Sequence, residues 1–288
     1  MGTTAPTRGK IRKLKAEFDR LKKGKEALLV LLDEAEIPEQ VYNSNAIENS
    51  TLSLKETEKI LLEMEVSRNV SLREVFEAKN LARVAEFIRA KDSHEFCADF
   101  VLLLHRMLMI NIDDSIAGRF REKGEYVRVG THIAPPPEKV EGMIGTIFGD
   151  YLSDIETYFV DKIAKFHLDF EKIHPFNDGN GRMGRVILNF QLIELGLPSV
   201  IIRDKEKKTY YQAFRDYDGG NFKTMEKVVA LALMESLHKR IAYLKGNTII
   251  TLADFVRKNK LSAPAVLNAA KRQNVPAFRE NGVWKIGE

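Results

Sequence analysis

The sequence predicts an all-α helical bundle with one short β-hairpin, followed by a small C-terminal module. Three observations support this class. Apolar residues recur at three- and four-residue intervals through most of the 288 residues, which is typical of helices packed against a core. Residues 125–140 instead alternate β-branched residues, as an extended hairpin does. Beyond Gly246-Asn247 the pattern changes to two short helices and a second hairpin.

The composition favours a folded intracellular chain of about two domains. Hydrophobic residues make up 44% of the sequence, enough for a sizeable core, and the formal net charge is +4. A single cysteine, Cys97, excludes an internal disulfide framework and favours a cytoplasmic location, and we expect it in the core. No N-terminal apolar stretch is long enough to span a bilayer, so no membrane partner is expected. The sequence leaves the oligomeric state open, homo-oligomers included.

The N-terminal region, residues 1–70, is predicted to consist of helices. An amphipathic helix covers residues 11–21, Gly24 interrupts the helical pattern, and a short helix follows Pro38. Two later helices begin at capping-box signals, which are Ser53 with Glu56 and Ser71 with Glu74.

Residues 71–246 form the predicted core domain. Helical spacing there predicts six helices, over residues 97–110, 138–153, 158–172, 181–195, 208–217 and 222–245. The most informative motif joins two of them. It is the run His174-Pro175-Phe176-Asn177-Asp178-Gly179-Asn180-Gly181-Arg182, with a second arginine at Arg185.

This run has the properties of a phosphate site. Its glycines allow a tight turn and expose backbone amides at the start of a helix, where anions bind. Arginines are unfavourable at a helix N-terminus unless an anion is present, yet Arg182 and Arg185 share the first turn. Pro175 is expected to end the preceding helix by holding His174 in extended geometry.

The run resembles the signature of the Fic (filamentation induced by cAMP) family, HPFx(D/E)GNGRxxR, at every defined position, and the likeness covers about residues 43–246. It implies a Fic-type helical bundle that transfers AMP from ATP to a serine, threonine or tyrosine hydroxyl of a target protein. His174 would be the catalytic base and Asp178 would bind Mg²⁺. The resemblance places ATP against Val129, Gly130, Thr131, His132, Asp178, Gly179, Asn180, Gly181, Arg182, Met183, Gly184, Arg185, Tyr210, Tyr211 and Asp218.

A second motif, Ser44-Asn45-Ala46-Ile47-Glu48-Asn49, resembles the family's inhibitory pattern (S/T)xxxE(G/N). Ser44, Glu48 and Asn49 are its defined positions. In members that carry the pattern on the N-terminal side of the signature (class II type), the glutamate pairs with the second signature arginine. Glu48 would thus deny Arg185 to the γ-phosphate and inhibit the enzyme, and removal of AMP stays open as a second activity. A pattern this loose also arises by chance on solvated helix ends.

Two further segments complete the resemblance. The hairpin predicted at residues 125–140 stands where the family has a flap that holds the target's backbone beside the active site, although a plain connecting hairpin would give the same pattern. Tyr210-Tyr211 resembles a tyrosine pair that lines the family's adenine pocket. Asp218 departs from the asparagine that several relatives have at that place.

The C-terminal segment, residues 248–288, follows the helix, helix, hairpin plan of a small winged-helix-like module, with Asn281-Gly282 at the hairpin turn. It holds seven Lys/Arg and three Asp/Glu. One hypothesis is a DNA-binding regulator whose nucleotide site is a sensor or a relic, with Lys271, Arg272 and Arg279 on DNA phosphates. The other is a docking or packing module, which we favour. The intact catalytic run favours an enzyme over a DNA-binding regulator.

Overall fold

The computed structural model describes residues 2–66, 70–90, 94–130 and 132–288. It confirms the predicted class, since helices dominate and the sheets are small. The bundle contains α1 (Ala5–Leu21), α2 (Glu26–Ile47), α3 (Leu54–Glu58), a π-helical turn (Lys59–Glu63), α4 (Leu72–Phe87), α5 (Ala98–Met109), α6 (Val140–Ser153), α7 (Phe159–Ile173), α8 (Asn180–Glu194), α9 (Lys207–Asp218) and α10 (Lys223–Leu244). The flap hairpin is formed by β1 (Arg128–Val129) and β2 (His132–Ile133), which pair antiparallel as predicted.

Two hydrophobic cores meet at α7 and α8. Phe166 and Phe170 of α7 belong to the core that is shared with α4, α5 and α6. Ile163 and Leu168 of the same helix belong to the other core, which is shared with α1, α9 and α10. The two helices are therefore fixed from both sides, and the loop between them inherits that rigidity. Cys97 is partly buried and packs against the first core.

The prediction of a short helix beginning after Pro38 is wrong. Helix α2 runs unbroken from Glu26 to Ile47 with Pro38 inside it. Ile37, Val41 and Ile47 are buried along this helix, and tertiary packing of that face outweighs the missing proline N–H. Both predicted caps on the following helices are confirmed, because Ser53 and Ser71 accept hydrogen bonds from the backbone N–H groups of Glu56 and Glu74.

The C-terminal segment contains β3 (Ile249–Thr251), α11 (Leu252–Lys258), α12 (Ala263–Lys271), β4 (Ala277–Glu280) and β5 (Val283–Gly287). The strands form an antiparallel sheet in the order β3-β5-β4. Asn281 and Gly282 have φ of 50° and 75°, so the predicted hairpin turn is confirmed. The strand β3 was missed because three residues are too few to show an alternating pattern. No helix of the described residues is both long enough and apolar enough to cross a bilayer.

Candidate active site

The signature loop begins with a left-handed residue. Helix α7 ends at Ile173, one residue beyond its predicted end, and His174 has φ 50° and ψ 62°, so the predicted extended geometry is wrong. The buried Arg121 holds this shape, because its Nε donates to the His174 carbonyl at 2.8 Å and its backbone N–H donates to the Pro175 carbonyl at 2.9 Å. The strained backbone turns the imidazole toward two clefts, one around the signature loop and one under the flap.

Asn180 holds the loop by side-chain hydrogen bonds, and Gly179 allows its turn into α8. The Asn180 side chain accepts from the Phe176 N–H at 2.9 Å and donates to the Phe176 carbonyl at 2.8 Å. Gly179, with φ of 80°, starts α8 in the left-handed region that glycine tolerates. The amides of Gly179, Asn180 and Gly181 thus lie at the N-terminus of α8, as an anion site requires.

His105 supports the loop and was missed by sequence reasoning. Its Nδ1 accepts from the Gly118 N–H at 3.1 Å, so Nε2 carries the proton and donates to the Asp178 carbonyl at 3.1 Å. The ring also stacks on Phe176, with centroids 3.6 Å apart. Burial lowers the pKa of His105 to about 4, which keeps this tautomer neutral. Its position in α5, far away in sequence, gave no signal of this contact.

His174 lies where two clefts meet. One cleft, of about 480 Å³, contains the signature loop, and the other, of about 330 Å³, lies under the flap. Burial lowers the pKa of His174 to about 4, against the effect of its hydrogen bond to the Glu171 carbonyl. Because Nδ1 donates to that carbonyl at 3.4 Å, Nε2 of the neutral ring is left to accept a proton at physiological pH.

The 480 Å³ cleft combines two arginines, Arg73 and Arg182, with the carboxylates of Glu48, Glu74, Glu77 and Asp178. The Asp178 carboxylate contacts Arg73, accepts from Arg182 Nη2 at 3.2 Å and accepts from the Gly179 N–H at 2.5 Å. Burial raises the pKa of Asp178, but these neighbours lower it overall, Arg182 most strongly. Arg182 is buried and its Nη1 lies 3.3 Å from Glu77, while its Nε has no hydrogen-bond partner within the described ranges. A phosphate oxygen would supply one.

Asp178 is suited to share a magnesium ion with phosphates. Among the described residues, no group of three or more His, Cys, Asp or Glu side chains could hold a metal alone. Mg²⁺ is commonly bound by one or two carboxylates together with substrate phosphates. The ionised Asp178 carboxylate in the signature-loop cleft fits that pattern, so the donor set agrees with the ion that the resemblance implies.

Arg185 makes the contact that the inhibitory motif predicted. Its Nη2 donates to Glu48 Oε1 at 2.8 Å, and Nε and Nη2 donate to the hydroxyl and carbonyl of Ser44, each at 2.9 Å. Glu48 caps α2, and Asn49 has a left-handed φ of 69° and accepts from Lys207 at 2.8 Å. A Cβ on Gly181 would lie 2.2 Å from Glu48 Oε1, so glycine is required for the carboxylate to reach the arginine.

The 330 Å³ cavity under the flap is largely apolar and aromatic. The flap contributes Val129, Gly130 and His132, and His132 Nε2 donates to the Lys172 carbonyl at 2.9 Å. Thr131 lies outside the described residues. The remaining wall is formed by Leu168, Glu171, Lys172, His174, Tyr211, Phe214, Arg215, Tyr217 and Asp218.

The predicted tyrosine pair is split between two environments. Tyr211 lines the cavity, whereas Tyr210 is 2% exposed and outside it. The Tyr210 hydroxyl lies 2.8 Å from His167 Nε2 and 3.5 Å from Arg185 Nη1, so it supports the arginine from behind. Asp218 lines the cavity rim and accepts from Lys172 at 3.1 Å.

Two other residues with predicted ATP contacts, Met183 and Gly184, line neither of the two clefts. The Met183 side chain is fully buried in the first core. Gly184 packs against α7, where an added Cβ would lie 2.4 Å from Glu171 Oε1. Glu171 itself was missed by sequence reasoning, and its place three residues before His174 was the only available signal.

Arg279 of the basic C-terminal segment is committed to internal pairs. Its guanidinium donates to Glu235 Oε2 at 2.6 Å and to Glu206 Oε1 at 2.8 Å, and it covers the Trp284 ring at 4.6 Å. Only 12% of its side chain is exposed. Arg279 is therefore not available for the DNA phosphate contact that was predicted for it, although Lys271 and Arg272 are exposed.

Comparison with known proteins gives a consistent family. A model of the Fic/DOC family matches residues 95–192. Protein adenylyltransferase fic-1 of Caenorhabditis briggsae is 32% identical over 221 residues, which cover 73% of this chain and 43% of that protein. Protein adenylyltransferase Fic of Nematostella vectensis is 29% identical, over 74% of this chain and 50% of that protein. The chain thus spans about half the length of the curated relatives it matches.

Two solved structures share the fold over most of the chain. A Fic domain containing signaling protein from Bacteroides thetaiotaomicron superposes with a TM-score of 0.74 and 25% identity, over 83% of this chain and 98% of that one. Fic-1 from C. elegans superposes with a TM-score of 0.71 and 28% identity, over 84% of this chain and 74% of that one.

Proposed function

The chain belongs to the Fic/DOC family, and we propose that it is a protein adenylyltransferase that moves AMP from ATP to a serine, threonine or tyrosine hydroxyl of a target protein. The observation that carries this proposal is the place of His174, a neutral base at the junction of a polyphosphate cleft and a nucleoside-sized cavity. The curated relatives named as protein adenylyltransferases support the same reaction.

The reaction follows from the geometry. His174 Nε2 takes the proton of the target hydroxyl, and the oxygen attacks the α-phosphorus. The bond from the α-phosphorus to the bridging oxygen breaks, and pyrophosphate leaves. The amides at the start of α8 and Arg182 stabilise charge on the phosphoryl oxygens, which is the main catalytic demand of phosphoryl transfer. A magnesium ion held by Asp178 would supply additional charge neutralisation to the phosphates.

Glu48 would inhibit this site. Arg185 is buried and its bond to Glu48 uses the Nη2 group that a γ-phosphate would need. A carboxylate and a phosphate compete directly for one guanidinium. With Glu48 seated, the triphosphate is anchored without Arg185, and the α-phosphate is not aligned for attack. Whether the same glutamate helps water remove AMP from the target is a second activity consistent with this site.

The flap would hold the target. Its strands β1 and β2 are only two residues each, and the apolar side chains of Tyr126, Val129 and Ile133 are exposed there. An extended target segment can add to such an edge through backbone hydrogen bonds. This arrangement would place a hydroxyl of the segment beside His174.

The C-terminal module would serve packing or docking. Its Arg279 is paired with Glu235 of α10, and its hairpin turn contacts α2, where the Gly282 N–H donates to Glu39 at 2.9 Å. These contacts favour a structural attachment over a free DNA-binding surface.

Labelling with ATP tests the proposed activity. The Glu48→Gly form is incubated with a cell lysate and ATP labelled in the α-phosphate, beside a matched Glu48→Gly, His174→Ala form. We expect a protein band whose label depends on His174, and mass spectrometry of that band identifies the modified hydroxyl. No label in any protein, or an equal label without His174, contradicts the proposal.

A further inference from the structure

A partly buried acid with no part in the mechanism above, Glu171, lines the cavity under the flap. Glu171 lies in α7, three residues before His174, and both face the cavity of about 330 Å³. Leu168, a further three residues earlier, lines the same wall. Because helical residues three apart share a face, the wall presents an apolar group, an acid and a base in that order.

The carboxyl group of Glu171 is not satisfied by the protein. Its Oε1 is inaccessible to solvent and has no hydrogen-bond partner in the described part of the chain. Arg185, the cation that attracts this carboxylate, is committed elsewhere, because it donates to Ser44 and Glu48. Buried polar atoms are nearly always paired. Oε1 lies against Gly184 of α8. A ligand in the cavity would therefore reach the other oxygen, Oε2, which forms no hydrogen bond in the described part of the chain and is not shielded from solvent.

The electrostatic surroundings keep the Glu171 side chain neutral. Burial, and then repulsion from Glu48, raise the pKa of Glu171 to about 8, against the attraction of Arg185. At neutral pH the side chain is largely a carboxylic acid, which can both donate and accept hydrogen bonds. A neutral acid does not repel a nearby triphosphate, whereas an ionised one would.

We propose that Glu171 binds a ribose hydroxyl of the nucleotide, an assignment that rests on the proposed function. His174 acts at the α-phosphate, and Tyr211 and Phe214 offer the base an aromatic surface farther along the cavity. The sugar joins these two parts of ATP. Three residues of helix rise about 4.5 Å, which is the scale of the step from the α-phosphate to the sugar. Glu171 thus presents a polar side chain level with the ribose.

The test compares ATP with 2′-deoxy-ATP and 3′-deoxy-ATP in the Glu48→Gly form, with and without Glu171→Leu. We expect the Glu48→Gly form to use at least one analogue about ten-fold less efficiently in kcat/KM, because the partly buried carboxyl then lacks its partner. Adding Glu171→Leu should reduce this preference to about two-fold or less. Glu171→Gln, which keeps a donor and an acceptor, should retain part of it. An unchanged preference after Glu171→Leu overturns the assignment.

Calorimetric Kd values for the three nucleotides separate this assignment from the proposed function. If no form transfers AMP but binding still prefers the full ribose through Glu171, the proposed activity fails and the assignment stands. If no form binds ATP, both fail. Thermal unfolding monitors the fold, and Glu171→Met carries the same comparison should Glu171→Leu not fold.

Discussion

The arginines of the signature loop and those behind the C-terminal module are similarly buried but differently paired. Arg203 and Arg240 are 6% and 1% exposed, and each contacts two carboxylates, Glu39 and Glu235 for the first, Asp33 and Glu36 for the second. Arg182 and Arg185 are 3% and 5% exposed. Arg182 also contacts two carboxylates, those of Glu77 and Asp178, but its Nε is unpaired within the described ranges. In the part of the chain that the structure describes, Arg185 forms an ion pair with one carboxylate, that of the 39% exposed Glu48.

This difference separates structure from function. A buried charge with a full set of partners costs little to keep and is destabilising to break. A buried charge with an incomplete or replaceable set is retained at the expense of stability, which is common where a ligand binds. Pairing, more than burial, therefore distinguishes the candidate site from the scaffold, and the predictions below test that distinction.

The largest effect is expected at His174. In the Glu48→Gly background, His174→Ala should lower AMP transfer by roughly 10²- to 10⁴-fold, the usual contribution of a general base. ATP affinity should be preserved, because the phosphate contacts come from the loop amides and Arg182. Transfer rates and calorimetric ATP binding are the measurements. Unchanged transfer would remove His174 from the mechanism.

The scaffold side of the comparison is tested at Glu235. Glu235→Ala removes the carboxylate shared by Arg203 and Arg279 and leaves two buried charges, so unfolding free energy should fall by about 3–5 kcal/mol. Glu206→Ala is the matched control, since it removes the exposed partner of Arg279 and should cost about 1 kcal/mol or less. Denaturant unfolding measures both. Equal losses would show that full pairing of the arginines does not stabilise the scaffold.

The next largest effect is expected at the ion pair between Glu48 and Arg185. Glu48→Gly should raise transfer by about ten-fold or more, because a partly buried charge pair worth a few kcal/mol no longer competes with the γ-phosphate. Autolabelling is compared in wild type, Glu48→Gly, Arg185→Ala and the double variant. The double variant should be inactive. Equal labelling of wild type and Glu48→Gly argues against autoinhibition, and strong labelling of the double variant argues against the role of Arg185.

The smallest effect is a pH dependence of stability. The pKa of Glu171 is about 8 in the folded chain, against an ordinary value of 4.5, so the folded chain binds its proton more tightly. Its contribution to stability is fully present below pH 4.5 and is lost as pH rises through 8. Between pH 6.5 and 8.5, Tm should therefore fall more in wild type than in Glu171→Gln. Parallel Tm curves would contradict this.

Sequence reasoning reached the parts of the site that lie close together along the chain. The loop from His174 to Arg185 and its two flanking helices follow from local patterns of glycine, proline and helical spacing. The Glu48–Arg185 contact was reached only through the family resemblance. The hydrogen bond from His105 to the loop and the burial of Glu171 depend on how distant helices pack, which no local pattern records.

Local rules also failed where tertiary contacts outweigh them. Pro38 was expected to delimit a helix, but the buried face of α2 carries the helix through it. Pro175 was expected to keep His174 extended, but the bonds from Arg121 hold it in the left-handed region. The flap was predicted by its alternation, whereas the three-residue strand β3 was not.

The order of residues along the chain has a consequence for synthesis on the ribosome. Glu48 precedes Arg185 by 137 residues, and the helix that carries it is translated well before the signature loop. Every growing chain that has reached the loop already contains the glutamate that would restrain it. If the pairing inhibits as proposed, no stage of translation exposes a finished loop without its inhibitor, and the cell needs no separate factor to silence newly made protein.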